Sequence, residues 1–412
     1  YKSIYRPARV ISYNKESGEL VLHNYMDFDD LKDYVKISYE LTQDGLVISK
    51  GILSEFSVAP HGEGKTNLKI NVPENGKCYL KLIYHLKKEL PLLDEDHILG
   101  FDEIEVSKDD AKCKLAEKWM QKTAVDSELQ VNENDTQIHI KGREFAYTID
   151  RRTALFTEMK FAGREYLKHP MELNIWRAPT DNDMYIKAEW KKAHYDKAYT
   201  RAYTTEVVQG KHGVKIVSHA SVVAETVQKI LDVTITWKID ASGKIDADIE
   251  ATKDGEFPDL PRFGVRMFLD KKLSDARYFG MGPQESYRDK HQAASHGLYR
   301  ANVRDLHEDY IRPQENGSHY DCEYVELNNS RYGIVASAEK AFSFNASYYT
   351  QEELEKKTHN YELIESDSVV FCVDYALNGI GSNSCGPVVL EQYRFDDVLF
   401  RFQFTLIPYV KG

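Results

Sequence analysis

Apolar residues recur at every second position along most of this chain. That period constrains the possible folds more than any other feature. Val35, Ile37, Tyr39 and Leu41 alternate with Lys36, Ser38 and Glu40, which is the dyad of a strand with one buried face. The turn QDG then leads into LVIS, and the two runs read as a hairpin. Leu80, Leu82, Tyr84 and Leu86 alternate in the same way, and the turn signals KESG, HGEG and PENG separate such runs. Several short strands over about a hundred residues predict a small β-sandwich, residues 1–107.

The pattern changes over residues 108–127, which are charged and lack strand alternation. This segment reads as a linker with one helical turn, docked onto a neighbouring domain by Trp119 and Met120. Alternation then resumes. Phe145, Tyr147 and Ile149 point one way, DRRTA turns, and Leu155, Thr157, Met159 and Phe161 return. Val233, Ile235, Trp237 and Ile239 precede the turn ASG and then Ile245, Ala247 and Ile249; Phe400, Phe402, Phe404 and Leu406 close the series. Only MYIKAEWKKAHYDKA has helical character. The rest of residues 128–412 reads as strand and loop, a single large all-β domain. Strands and helices do not alternate, which excludes a (β/α)₈ barrel.

Composition removes several function classes. The 66 acids outnumber the 54 bases, for a net charge of −12. The bases are scattered, so nucleic acid and anionic membrane surfaces are poor partners. No apolar run approaches the ~18 residues of a membrane span. The five cysteines, Cys78, Cys113, Cys322, Cys372 and Cys385, are odd in number and widely spaced. They read as reduced or buried thiols of a cytoplasmic protein. Tyr1 is followed by no secretory pattern, and the chain reads as a piece of something longer. The 27 tyrosines suit pleated surfaces and also sugar-binding faces.

Local motifs are weak individually. His296, His307, Glu308 and Asp309 fall in one stretch without metal-ligand spacing. GMGPQES and GIGSNSCG carry Gly-x-Gly without the rest of a phosphate loop, and their glycines read as tight turns with positive φ. Glycosidase chemistry needs two carboxyl groups ~5–10 Å apart, and the many acids here single out no pair. NIWRAPTDND reads as a corner. Pro179 fixes φ, while Asp181, Asn182 and Asp183 form Asx-turns. A buried Arg177 would find acceptors among those acids.

Taken together and in order, NIWRAPTDND, YFGMGPQESYRDK, YIRPQENGSHYDCEYVEL and GIGSNSCGP say more. Their order and spacing resemble the C-terminal part of bacterial β-galactosidases of glycoside hydrolase family 2, the lactose-operon type. The likeness covers essentially the whole chain. Residues 1–107 resemble the second immunoglobulin-like domain of those enzymes. Residues 128–412 resemble their terminal small-chain domain, a β-supersandwich of the galactose mutarotase kind.

The resemblance implies an all-β fold and a non-catalytic part of an enzyme that hydrolyses terminal β-D-galactosides, either a fragment or a small subunit. The catalytic residues, and the magnesium and sodium sites, would lie in a (β/α)₈ barrel of the same or a companion chain. No catalytic residue, metal or cofactor is expected here, and the parent is expected to be an oligomer. Arg177, Asp181, Asn182 and Asp183 then form a structural signature. The loop Gly381, Ser382, Asn383, Ser384 and Cys385 would reach the galactose subsite. The family places a Trp as an apolar wall in that loop, and Cys385 falls nearest to it. The loop is expected to be exposed and to owe its order mainly to the barrel. An autonomous carbohydrate-binding module and a mutarotase-like sugar epimerase are the alternatives.

Overall fold

A computed structural model describes residues 1–108, 110–121 and 128–411. The chain divides into two units, one of Tyr1–Leu115 with Gln292–Leu298, the other of Ala116–His291 and Tyr299–Gly412.

The first unit holds a three-stranded and a four-stranded antiparallel sheet. The smaller runs in the order Ala8–Tyr13, Glu19–Asn24, Glu63–Asn67. The larger runs Leu46–Leu53, Val35–Gln43, Cys78–Leu86, Ile98–Glu105. The expected hairpin closes through Asp44 (φ 49°) and Gly45 (φ 80°), with Gln43 opposite Leu46. Two successive left-handed residues match the right-handed twist of the flanking strands. The alternating residues point inward as the dyad requires: Val35, Ile37, Leu41, Leu80, Leu82 and Tyr84 are buried together with Leu20 and Leu22. The buried Tyr84 hydroxyl needs an acceptor. It donates to Asp102 at 2.5 Å, which also accepts from Val10 N at 3.0 Å and Arg6 Nη2 at 2.6 Å. One carboxylate thereby ties the two sheets together.

Where one helical turn was expected between the domains, a seven-residue helix spans Lys114–Met120. Trp119 packs on Tyr409, with ring centroids 5.3 Å apart. Residues 109 and 122–127 of the expected linker lie outside the described residues.

The second unit is built on a twelve-stranded antiparallel sheet and a five-stranded one. The large sheet's main path runs Leu167–Asn174, Arg262–Asp270, Ser368–Leu377, Tyr332–Ser347, Leu399–Val410, Ile245–Lys253, Leu231–Asp240, Gly213–Val223, Tyr199–Gln209. Ser318–Asn328 and Asp275–Gly282 branch from Tyr332–Ser347. The small sheet comprises Gln130–Glu133, Gln137–Lys141, Phe145–Asp150, Leu155–Phe161 and Arg164–Glu165. An aromatic edge-to-face contact joins the two, Phe156 meeting Trp237 at 4.9 Å, and within the large sheet Trp237 meets Phe404 at 6.4 Å. Buried polar tips are paired across the same seam: Trp237 Nε1 donates to Ala154 O at 2.8 Å, and Tyr147 Oη to Gly243 O at 2.7 Å.

Three local expectations need correction. Strict alternation left Phe156 off the core face, yet it is fully buried. The register shifts between Thr148 and Ile149, and such a bulge turns a side chain to the other face. The segment 128–412 also holds, besides the expected helix Ile186–Lys192, a helix at Gln351–Lys356. Thr350 Oγ1 caps it by accepting from Glu353 N at 3.1 Å. Finally, the glycines of GMG are not left-handed. A Cβ on Gly280 would meet Cys322 Sγ at 2.2 Å, and one on Gly282 would meet Tyr278 Oη at 2.2 Å, so close packing is what demands glycine there. In GIG, Gly381 does take φ +64°.

Candidate functional site

The four motifs meet at one corner of the second unit, and side-chain chemistry explains why. After the strand Leu167–Asn174, the side-chain Oδ1 of Asn174 accepts from Trp176 N at 3.0 Å, which turns the chain. Arg177 then enters the interior with no exposure at all. A guanidinium there must spend all its donors. Its Nε and Nη2 fork onto Asp183 at 3.1 and 2.6 Å. Its Nη1 and Nη2 reach the carbonyls of Asn378 at 2.5 Å and Gly379 at 3.1 Å. Asp183 also accepts from Thr180 N at 2.8 Å and Thr180 Oγ1 at 3.1 Å, closing the corner. Arg177 therefore links the first motif to the root of the fourth.

A second buried arginine binds the third motif. Arg262 forks onto Asp374 at 3.1 and 2.5 Å and donates to Glu315 Oε1 at 2.8 Å. Burial pushes the Asp374 carboxyl up to about 6 against the pull of Arg262, so the pair stays ionised at neutral pH. Glu315 Oε2 accepts from Ala178 N at 3.1 Å, and Glu315 N donates to Ala178 O at 2.9 Å. Asp181 takes no part in binding Arg177. It exchanges hydrogen bonds with Gln314 instead, through Asp181 N at 3.0 Å and Gln314 Nε2 at 3.2 Å.

The second motif supplies two carboxylates. Burial works against ionisation of Glu285, but bonds from Lys290 and Tyr310 outweigh it and lower its pKa. It accepts from Lys290 Nζ at 2.6 Å, Tyr287 Oη at 3.2 Å and Gly317 N at 3.0 Å, and from Tyr310 Oη. Asp289 grips the base of the loop, accepting from Ile380 N at 2.9 Å and Gly381 N at 2.7 Å.

The loop is exposed at its tip: Ser382, Ser384 and Cys385 face solvent, while Gly381 and Asn383 are half-buried. It closes on itself through Cys385 N and Gly386 N, which donate to Ser382 O at 3.2 and 2.6 Å. Asn182 braces its side, donating to Gly381 O at 2.7 Å and accepting from Ser384 Oγ at 2.8 Å. Tyr287, Leu377 and Ile380 form a small apolar floor. The expectation that order in this loop comes mainly from outside the chain needs correcting, because Asp289 and Asn182 hold it from within.

The nine residues singled out in the sequence thus fall in one corner, with Arg177 and Asp183 inside, Asp181 and Asn182 at the rim and Gly381–Cys385 above. Asp289, Glu285 and Glu315 were missed as individuals, although the quoted motifs contain them. Arg262 and Asp374 carried no signal, lying 112 positions apart in ordinary strands. Arg177 pairs with Asp183 and Arg262 with Asp374 and Glu315, while Glu285 is held by Lys290, two tyrosine hydroxyls and a backbone donor. Among the described residues, no group of three or more His, Cys, Asp or Glu side chains is arranged to hold a metal ion. No described helix is long and apolar enough to cross a membrane.

Two family models match the chain. "Beta galactosidase small chain" covers residues 141–406, and "Beta-galactosidase, domain 4" covers residues 20–107. The β-galactosidase of Actinobacillus pleuropneumoniae is 41% identical over 408 residues, 98% of this chain and 39% of that protein. That of Staphylococcus xylosus is 30% identical over 98% of this chain and 40% of its own. The chain spans about two fifths of the length of these relatives. A solved galactose 1-epimerase from Lactobacillus acidophilus NCFM is 9% identical over 70% of this chain and all of its own, with a TM-score of 0.37, which supports no functional inference.

Proposed function

The chain belongs to the β-galactosidase small-chain family, and from that premise we propose that it is the C-terminal, non-catalytic part of a family 2 glycoside hydrolase acting on terminal β-D-galactosides. The observation that carries this reading is the identity of 41% over nearly the whole chain to a β-galactosidase more than twice as long. The acid, the nucleophile and the magnesium and sodium ions belong to a barrel on the same or a companion chain. This chain contributes the loop Gly381–Cys385 to the side of the galactose subsite. Its Asn383 and Ser384 offer hydrogen bonds to sugar hydroxyls, and Cys385 supplies a smaller wall than an aromatic ring would. The anchoring by Asn182 and Asp289 supports this role, because a subsite wall has to be held before substrate arrives. The parent enzyme is an oligomer of the cytoplasm.

The test is complementation. The purified chain alone should leave nitrophenyl β-galactoside at background. Mixed or co-expressed with the barrel-bearing remainder, it should restore hydrolysis. Stoichiometric turnover by the chain alone, surviving repurification, would overturn the reading, as would a remainder that is fully active without it.

A further inference from the structure

The triplet Glu-Asn-Gly occurs twice in the chain, at 74–76 and 315–317, and a third Asn-Gly pair stands at 378–379. An asparagine followed by glycine carries a reaction of its own. The glycine's backbone nitrogen and the asparagine's Cγ close a five-membered ring. The closure is intramolecular, and no Cβ on the glycine obstructs it. Residues 74–76 and 315–317 share one local sequence, so folded surroundings decide which of them reacts.

Two of the three pairs are locked. Asn316 is 5% exposed. Its Oδ1 accepts from Glu308 N at 3.0 Å, its Nδ2 donates to Gln314 O at 2.9 Å, and Gly317 N donates to Glu285 Oε2 at 3.0 Å. Asn378 is 2% exposed. Its Oδ1 accepts from Phe395 N at 2.9 Å, and Gly379 N donates to Tyr393 O at 2.8 Å. At both sites the carbon to be attacked is pinned and the attacking nitrogen is engaged. Turning either amide towards its glycine would strand buried polar groups.

Asn75 differs on each count. It is exposed, in the bend before the strand Cys78–Leu86. Its side-chain amide has no hydrogen-bond partner among the described residues, and neither has Gly76 N. Only its carbonyl is held, accepting from Gln43 Nε2 at 2.6 Å. Gly76 is itself buried, yet the attack comes from within the chain and needs only the loss of its amide proton.

We propose that Asn75 is a deamidation site, the one Asn-Gly pair of the three that reacts in the folded chain. Gly76 N gives its proton to hydroxide and attacks Asn75 Cγ. The N–Cγ bond forms, the Cγ–Nδ2 bond breaks, and the nitrogen leaves as ammonia after taking a proton from water, which restores the hydroxide. The succinimide then takes up water at either carbonyl, giving aspartate or an isoaspartyl linkage. The proposal does not depend on the part the chain plays in an enzyme.

The product disturbs what the bend holds. Asp44 Oδ1 accepts from Lys77 N at 3.0 Å and Lys114 N at 3.3 Å, and Asp44 N donates to Lys77 O at 2.7 Å. A Cβ on Gly76 would already meet Asp44 Oδ2 at 2.8 Å. An isoaspartyl linkage adds one carbon to the backbone beside that contact, and either product adds a carboxylate between Glu74 and Asp44. Both changes loosen the bonds between Lys77 and the hairpin turn.

The test ages the whole chain in mildly alkaline buffer, folded and, in parallel, unfolded in urea. Peptide-mapping mass spectrometry follows each asparagine, and an isoaspartyl carboxyl methyltransferase with labelled S-adenosylmethionine reports the isoaspartyl product. In the folded chain the tryptic peptide 70–77 should acquire the deamidation mass shift and the methyl label. Asn316 and Asn378 should convert at least about tenfold more slowly, because each waits for local opening. In urea the difference between Asn75 and Asn316 should vanish, and mildly acidic buffer should slow the reaction at Asn75. Asn75→Gln should lose the label and keep its Tm on ageing, while the Tm of the unaltered chain falls. An Asn75 that stays unconverted in the folded chain would overturn the proposal. So would equal rates at Asn75 and Asn316 in the folded chain, or a methyl label undiminished in Asn75→Gln.

Discussion

Arg177 and His319 carry the corner's largest single-residue consequences. Arg177→Ala would leave Asp183 buried without its countercharge and strand the carbonyls of Asn378 and Gly379, which it bonds now. Breaking a buried, hydrogen-bonded pair from one side costs about 3–5 kcal/mol. Urea unfolding followed by tryptophan fluorescence should show a loss of that order; an unchanged midpoint would mean the pair stabilises nothing. Arg177→Lys should recover little, since an ammonium cannot reproduce the fork. His319 behaves differently. It is buried between Tyr278 and Phe344, with ring centroids at 4.5 and 5.1 Å, and burial pushes its pKa down to about 4. Unfolded, it would titrate near 6.5. Below that value the unfolded chain gains a proton that the native chain refuses, so its contribution is full above about pH 6.5 and drains away towards pH 4. Between pH 7 and 5 this one group accounts for ~2 kcal/mol of lost stability. His319→Phe should flatten the stability-against-pH curve by about that amount, and an identical slope in the variant would refute the assignment. Legibility at this scale follows sequence distance. Arg177 and Asp183 are six residues apart and could be paired by reading, whereas Arg262 and Asp374 meet only because two strands become neighbours.

Strands were the most readable elements because their signal is local and repeated. Val35–Gln43 and Cys78–Leu86 bury the residues that the dyad selects. What escaped was aperiodic. The bulge that buries Phe156 adds one residue to one strand and leaves no compositional mark. The helix Gln351–Lys356 did have a signal, Thr350 followed by Glu353 in the pattern of a capping box, but it is short and stands among strands. The glycines of GMG were readable as necessary but not as close-packed, because their neighbours Cys322 and Tyr278 come from folded geometry. The loop Gly379–Pro387 was readable as a motif, while its anchors Asn182 and Asp289 were not. Its exposure can be checked through its thiol. Cys385 is the exposed cysteine, and Cys78, Cys113, Cys322 and Cys372 are buried. A disulfide reagent such as DTNB should titrate one thiol quickly in the native chain and the rest only after denaturation. Cys385→Ser should abolish the fast phase. A fast phase that persists in Cys385→Ser, or its absence from the unaltered chain, would contradict the loop's described position.

At the scale of the molecule, the motif corner of the second unit buries two arginines with their carboxylates, and one of them, Arg177, joins Asn182 and Asp289 in holding one exposed loop and its root. Such an arrangement is costly as a source of stability, since well-packed apolar residues often do as well as buried ion pairs. It makes sense where position matters, because an error of about 1 Å in a subsite wall is felt in catalysis. Cys385→Trp separates the two roles. In the chain alone the site is exposed, so the change should move stability by no more than about 0.5 kcal/mol. In the complete β-galactosidase, under the proposed reading, a ring at this position meets the bound galactosyl group. KM for nitrophenyl β-galactoside should then change severalfold while kcat moves less, the signature of altered substrate binding. Asp289→Ala acts on the same wall from behind by releasing Ile380 and Gly381, and it should raise KM without touching any sugar-facing atom. If KM is indifferent to both variants while the protein stays folded, the loop does not border the sugar, and the corner would have to be explained by folding alone.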